Sequence, residues 1–97
     1  MKLNKVKVKT AERQIREREG FRVIFRYPGG QRVPVNLRVV SYDRWQKATR
    51  RSWTIREWKE KKFSLLYPDI DCDVFEKWSR QPVSGKRVLR TVRDSYL

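Results

Sequence analysis

The chain has 97 residues with 25 Lys and Arg, 11 Asp and Glu and no histidine, a formal net charge of +14. That length holds one domain, and a charge excess of this size repels itself unless it meets a polyanion. The missing histidine excludes Ser-His and Cys-His nucleophilic pairs, no glycine-rich nucleotide fingerprint is present, and no apolar run approaches the ~20 residues that span a bilayer.

The first nine residues, MKLNKVKVK, alternate lysine with apolar residues over Lys5–Lys9. A short edge strand protected by lysine and a mobile basic arm both fit this pattern. No apolar signal segment follows Met1-Lys2-Leu3. Residues 10–19 offer only Ala11 and Ile15 as apolar helix positions, with Glu12/Arg16 and Arg13/Glu17 at helical spacing and Gly20 placed as a stop. The expectation is a solvated helix of low intrinsic stability, so that 1–20 is a basic arm or a loosely docked helix and 21–97 is the compact domain.

Phe21, Val23, Phe25 and Tyr27 share one strand face, and Val33, Val35, Leu37 and Val39 share another. Pro28-Gly29-Gly30-Gln31 between them predicts a β-hairpin over about 21–40. A three-residue Gly29–Gln31 loop pairs Phe25 with Val35, Val23 with Leu37 and Phe21 with Val39, which keeps one apolar face. This register sets Arg22 opposite Arg38, with Arg26 and Asn36 nearby. Like charges opposed across strands call for an anion above them, or else the arginines diverge into water.

Ser41–Ser52 reads as a short helix near 43–51 with Asp43 as its cap, carrying Arg44, Lys47, Arg50 and Arg51 beside Trp45. Thr54-Ile55-Arg56-Glu57 is a capping box with Trp53 and Trp58 at the staple positions, so a second helix starts at Ile55 and ends at Tyr67-Pro68. Its buried stripe is Ile55, Trp58, Phe63 and Leu66; Arg56, Lys59, Lys61 and Lys62 are solvated. Two adjacent helices invite a helix-turn-helix reading, but no glycine marks a turn between them.

Residues Asp69–Phe75 alternate acid with apolar side chains, a candidate third strand over about 70–75, with Gln81–Val83 returning beside it. A calcium loop counted from Asp69 would need glycine and glutamate where Val74 and Arg80 stand, so Asp69, Asp71 and Asp73 are expected to pair with the chain's own bases. Ser84-Gly85 opens a last helix near 86–96, with Val88, Leu89, Val92 and Tyr96 on one side and Lys86, Arg87, Arg90 and Arg93 on the other. Cations at a helix start oppose the macrodipole, which a bound phosphate would reverse.

Together these elements predict a small α+β domain: the hairpin, a candidate third strand and two or three short helices around one core. Twelve aromatics argue for that core against a charged share of 37%. The single cysteine, Cys72, cannot form an internal disulfide, which points to a reducing, cytoplasmic setting.

Charge is spread over four of five regions: net +4 over 1–19, +4 over 20–40, +5 over 41–62 and +4 over 80–97, against −3 over 63–79. The expected partner is therefore nucleic acid, DNA or RNA, bound without catalysis, metal or cofactor. Candidate contacts are Arg22, Arg26 and Arg38 on the hairpin. On the middle helices they are Arg44, Trp45, Lys47, Arg50, Arg51, Arg56, Lys59 and Lys62, and at the end Lys86, Arg87, Arg90 and Arg93. Exposed indoles among such bases can stack on unpaired bases, while the competing role for Trp58 and Trp53 is core and staple. The rival class is a small basic adaptor or inhibitor docked on a nucleic-acid-processing complex, such as a phage or mobile-element regulator or a ribonucleoprotein subunit. Its aromatic hot spot would be Trp45 or Tyr42. The last helix has no exposed bulky anchor for a membrane beyond Tyr96 and Leu97.

Overall fold

Val8, Ala11, Ile15 and Glu19 recur at spacings of three and four, the period of one helix face. In the computed structural model, which describes residues 4–97, they form the buried side of helix α1 (Val8–Glu19). Gly20 ends it with φ of 83°, donating its N–H to the Arg16 carbonyl at 3.1 Å. Val8, Ala11 and Ile15 have no exposed surface, so this helix is core and not a loosely docked appendage. The expected Arg13–Glu17 pair forms at 3.9 Å, whereas Glu12 turns to the sheet. Residues 1–3 of the expected arm lie outside the described residues; strand β1 (Lys5–Lys7) precedes α1.

Strand β2 (Arg22–Arg26) enters a hairpin whose three-residue loop is Pro28–Gly30. Tyr27 N–H donates to the Gln31 carbonyl and Gly30 N–H to the Tyr27 carbonyl, both at 2.8 Å, and Arg26 faces Arg32. The pairing ends after Val33 N–H reaches the Phe25 carbonyl at 3.0 Å. Pro34 has no N–H to continue it, and the Phe25 N–H is taken by Glu12 Oε2 at 2.8 Å. The expected pairs of Phe25 with Val35, Val23 with Leu37 and Phe21 with Val39 are therefore not made, and Arg22 does not oppose Arg38. The second arm leaves for the N-terminal segment instead. Lys9 N–H bonds the Val35 carbonyl, Val8 N–H bonds that of Leu37, and β3 (Arg38–Val40) pairs antiparallel with β1, Val6 opposite Val39.

The other edge of β2 pairs antiparallel with β4 (Asp71–Phe75), setting Val23 opposite Val74 and Phe25 opposite Cys72, all four buried. The return of 81–83 reduces to one bond, Val83 N–H to the Val74 carbonyl at 2.8 Å. Among the described residues the fold is thus a small α+β domain of two two-stranded antiparallel sheets and three helices.

The expected helix near 43–51 is a single 3-10 turn, Tyr42–Arg44, capped by Ser41 and not Asp43. A side chain of α1 diverts a backbone donor this helix would need: Glu19 accepts from Thr49 N–H at 2.8 Å. Without that helix there is no helix-turn-helix.

Helix α2 begins at Ile55 on the predicted capping box. Glu57 N–H donates to Thr54 Oγ1 at 3.2 Å, and Thr54 N–H donates to Glu57 Oε1 at 3.1 Å. That bond to Thr54 holds the Glu57 carboxyl below its ordinary range. The predicted stripe of Ile55, Trp58, Phe63 and Leu66 is buried throughout. Its spacing of three, five and three does not suit an α-helix, in which five residues would leave Phe63 about 140° round from Trp58. The helix resolves the mismatch with a π-helical stretch over Lys59–Phe63 between α-turns at Ile55–Trp58 and Ser64–Leu66. Ser64 Oγ donates to the Lys59 carbonyl at 2.8 Å.

Helix α3 spans only Leu89–Asp94 of the expected 86–96. Residues 84–87 instead form a turn closed by Arg87 N–H on the Ser84 carbonyl at 3.0 Å, and Val88 bridges to Thr54, so no helix N-terminus lies at Ser84–Arg87 for a phosphate. The core between these elements is aromatic: Phe21 meets Trp58 edge-on at 5.1 Å, and Phe25 meets Phe63 at 5.2 Å and Tyr67 at 5.0 Å. Among the described residues no helix is long and apolar enough to cross a membrane.

Candidate nucleic-acid interface

Residues 50–56 and 85–90 run antiparallel and share four backbone hydrogen bonds. Arg90 N–H donates to Arg51, Leu89 to Trp53, Ile55 to Arg87 and Arg56 to Gly85, at 2.8–3.0 Å. A Cβ on Gly85 would stand 3.4 Å from Arg56 Cβ, so glycine lets the two backbones close at that end. This seam gathers Arg50, Arg51, Arg56, Lys86 and Arg90, all exposed, from two stretches thirty or more residues apart in the chain. None of the five has a carboxylate within ion-pair distance among the described residues.

Four other predicted contacts are committed inside the protein. Arg26 pairs with Asp73 at 2.9 Å, Lys59 with Asp71 at 3.4 Å and Arg87 with Glu76 at 2.8 Å. Arg93 pairs with the fully buried Glu19 at 2.9 Å. The alternating acids of β4 thus serve the chain's own bases, as their pattern suggested for Asp71 and Asp73.

The indoles expected to stack also have other roles. Trp58 is fully buried and donates its Nε1–H to Tyr42 Oη at 2.9 Å. Trp45 and Trp53 are half-buried against the core. Lys62 stands over both rings, at 5.2 and 5.8 Å, with Arg44 beside Trp45 and Lys61 beside Trp53. The chain's own cations occupy the faces that a base would need. Lys47 is exposed nearby on the irregular 45–53 segment. On the sheet of β1 and β3, Arg38 lies directly opposite Lys7, so a like-charge pair does occur across strands, although with a different partner from the one expected.

Arg22 lies at the end of β2, its guanidinium 4.8 Å over the Phe75 ring and its Nη2 3.1 Å from the Ser79 carbonyl. It opens onto a cleft of about 340 Å³ formed with Lys77, Trp78, Ser79, Arg80 and Tyr96. Trp78 is 89% exposed, the only tryptophan so presented.

No family model, curated protein or solved structure matches this chain.

Sequence reasoning passed over Trp78 because it belongs to neither periodic stripe. That was itself the signal. An aromatic in a short polar segment between two elements, flanked by Lys77 and Arg80, has no core to fill. Cys72 faces the core, fully buried, and burial pushes its thiol well above the ordinary value. A thiol so protonated and enclosed is a poor nucleophile.

Proposed function

We propose that this protein binds nucleic acid without catalysis, holding phosphates along the seam of residues 50–56 and 85–90. The observation that carries the reading is the convergence of Arg50, Arg51, Arg56, Lys86 and Arg90 on two hydrogen-bonded segments, with no carboxylate at ion-pair distance among the described residues. Solvated cations that nothing inside the protein uses, held on paired backbone, suit a regular row of phosphates. Contacts of this kind position a strand without reading its sequence, so specificity is modest. The absence of histidine and the enclosed Cys72 support a binding role over a chemical one.

The rival reading, a basic adaptor on a larger complex, loses its nominated anchors. Tyr42 is 1% exposed, and Trp45 is half-buried under Lys62.

The test is a salt series of binding to single-stranded DNA, duplex DNA and structured RNA, comparing the natural chain with an Arg51→Ala/Arg90→Ala variant. Each lost phosphate contact flattens the dependence of log K on log salt by roughly 0.7–0.9, so the double variant should lose about 1.5 in slope. An Arg13→Ala control on the exposed face of α1 should change neither slope nor affinity. Affinity of the natural chain that ignores salt, or a double variant that behaves like the control, would end this reading.

A further inference from the structure

Trp78 combines three features that have no explanation within the fold. Its side chain is 89% exposed. Its backbone has φ of 67°, the left-handed region in which a bulky L residue is a rare and strained occupant. The segment that carries it is nonetheless tied down. Ser79 N–H closes the turn on the Glu76 carbonyl at 3.1 Å, Lys77 N–H donates to Ser95 Oγ at 3.0 Å, and Arg22 Nη2 donates to the Ser79 carbonyl at 3.1 Å. With φ positive only at its third residue, this is the turn type that ordinarily takes glycine there. A large apolar ring is thus held out in water by an ordered turn that a glycine would suit better.

The surroundings identify what the ring faces. Arg22, Lys77 and Arg80 border the cleft beside it, and no acid does. The one carboxylate at the turn, Glu76, is engaged by Arg87 at 2.8 Å. That pair also joins the turn to the 85–90 side of the basic seam. Lys77 Nζ stands 5.4 Å over one face of the indole, as cations do over Trp45 and Trp53, but this ring is 89% exposed and so presents its other face to solvent. That open face, among cations with no carboxylate at ion-pair distance among the described residues, suits a ligand with a planar ring and a nearby phosphate. In a duplex the base faces are already stacked, so the match is to an unpaired nucleotide.

We infer that Trp78 and the cleft of Arg22, Lys77 and Arg80 form a stacking site for an unpaired base of a single strand, its flanking phosphates on the two arginines. This deepens the phosphate-binding reading and rests on it. The seam supplies charge contacts to any strand, and Trp78 makes the protein favour single strands.

The experiment measures anisotropy of a fluorescein-labelled thymidine oligonucleotide and of a duplex of equal length, with tryptophan emission followed in parallel. Trp78→Ala should weaken single-strand binding about 5- to 150-fold, abolish most of the emission quench on that strand, and leave duplex binding within about twofold. Trp78→Phe should recover most of the affinity. Trp78→Gly, which suits the turn, should lose single-strand affinity like alanine while melting no lower than the natural chain, so misfolding cannot mimic the result. Single-strand affinity unchanged in Trp78→Ala overturns the inference, as does an equal fall on both probes. Loss of a protein partner with single-strand binding intact would assign the indole to a protein interface and also overturn it. A natural chain that binds neither probe refutes the seam reading together with this one. Binding by the natural chain that is indifferent to Trp78 refutes only this one.

Discussion

A carboxylate taken out of water must find its hydrogen bonds inside the protein, and Glu19 finds them on three separate segments. It accepts from Tyr42 Oη at 2.7 Å, from Thr49 N–H at 2.8 Å, from Thr49 Oγ1 at 3.0 Å and from Arg93 Nη2 at 2.9 Å. Trp58 Nε1 extends the chain through Tyr42. One side chain thereby fastens the end of α1 to the irregular middle segment and to α3. Removing it strands a guanidinium and several buried polar groups, a change that costs about 3–5 kcal/mol. Glu19→Ala should show that loss in urea unfolding followed by tryptophan emission, and Glu19→Gln, which keeps an acceptor oxygen, should lose less. Burial of this residue was not legible in the sequence. A glutamate continuing the spacing of Val8, Ala11 and Ile15 looks like a solvated position, and only the distant Arg93, Tyr42 and Thr49 make it an interior one. The stripe itself was there to read, had a charged residue been allowed to belong to it.

At the scale of elements, three local signals held, whereas the Asp43 cap, the helix start at Ser84-Gly85 and the long-range hairpin register did not. The capping box at Thr54, the stop at Gly20 and the alternation of β4 depend on neighbours in sequence, and each appears where its residues predict. The hairpin register depended on which strand β2 would choose along its length. Pattern matching favours Val33–Val39, because it cannot see that Pro34 and Glu12 end the pairing or that β4 offers a full partner. The π-helical stretch in α2 leads to a further expectation. It exists because the stripe has one residue too many between Trp58 and Phe63 for an α-helix. Deleting Glu60, which is exposed and makes no ion pair among the described residues, would give a regular spacing of three, four and three. That deletion should leave a cooperative thermal transition and shift stability by less than about 2 kcal/mol. Deleting Arg13 from α1, where the spacing is already regular, should abolish the transition measured by circular dichroism.

For the molecule as a whole, composition was the most legible feature and location the least. The net +14 pointed to a polyanion from the outset, but it could not say which bases the fold would consume. Arg26, Lys59, Arg87 and Arg93 are consumed, whereas Arg50, Arg51, Arg56, Lys86 and Arg90 are left together on one seam. The same imbalance has a thermodynamic signature. Raising salt from about 0.01 M to 0.3 M shortens the screening length from ~30 Å to ~6 Å and relieves self-repulsion. The melting temperature should therefore rise over the range in which nucleic-acid affinity falls. A melting temperature that drops with salt would mean that the seven ion pairs among the described residues outweigh the repulsion.

Cys72 gives the chain a chemical clock of its own. It is the one thiol, the second residue of β4 and opposite Phe25 in the core, shut away from solvent. A thiol reagent can reach it only when β4 separates from β2, so the labelling rate at neutral pH counts those openings one molecule at a time. The strand it guards runs directly into the turn that presents Trp78. A strand of nucleic acid that settles on that indole would slow the clock, and the extent of slowing would report how firmly the recognition turn is coupled to the core beneath it.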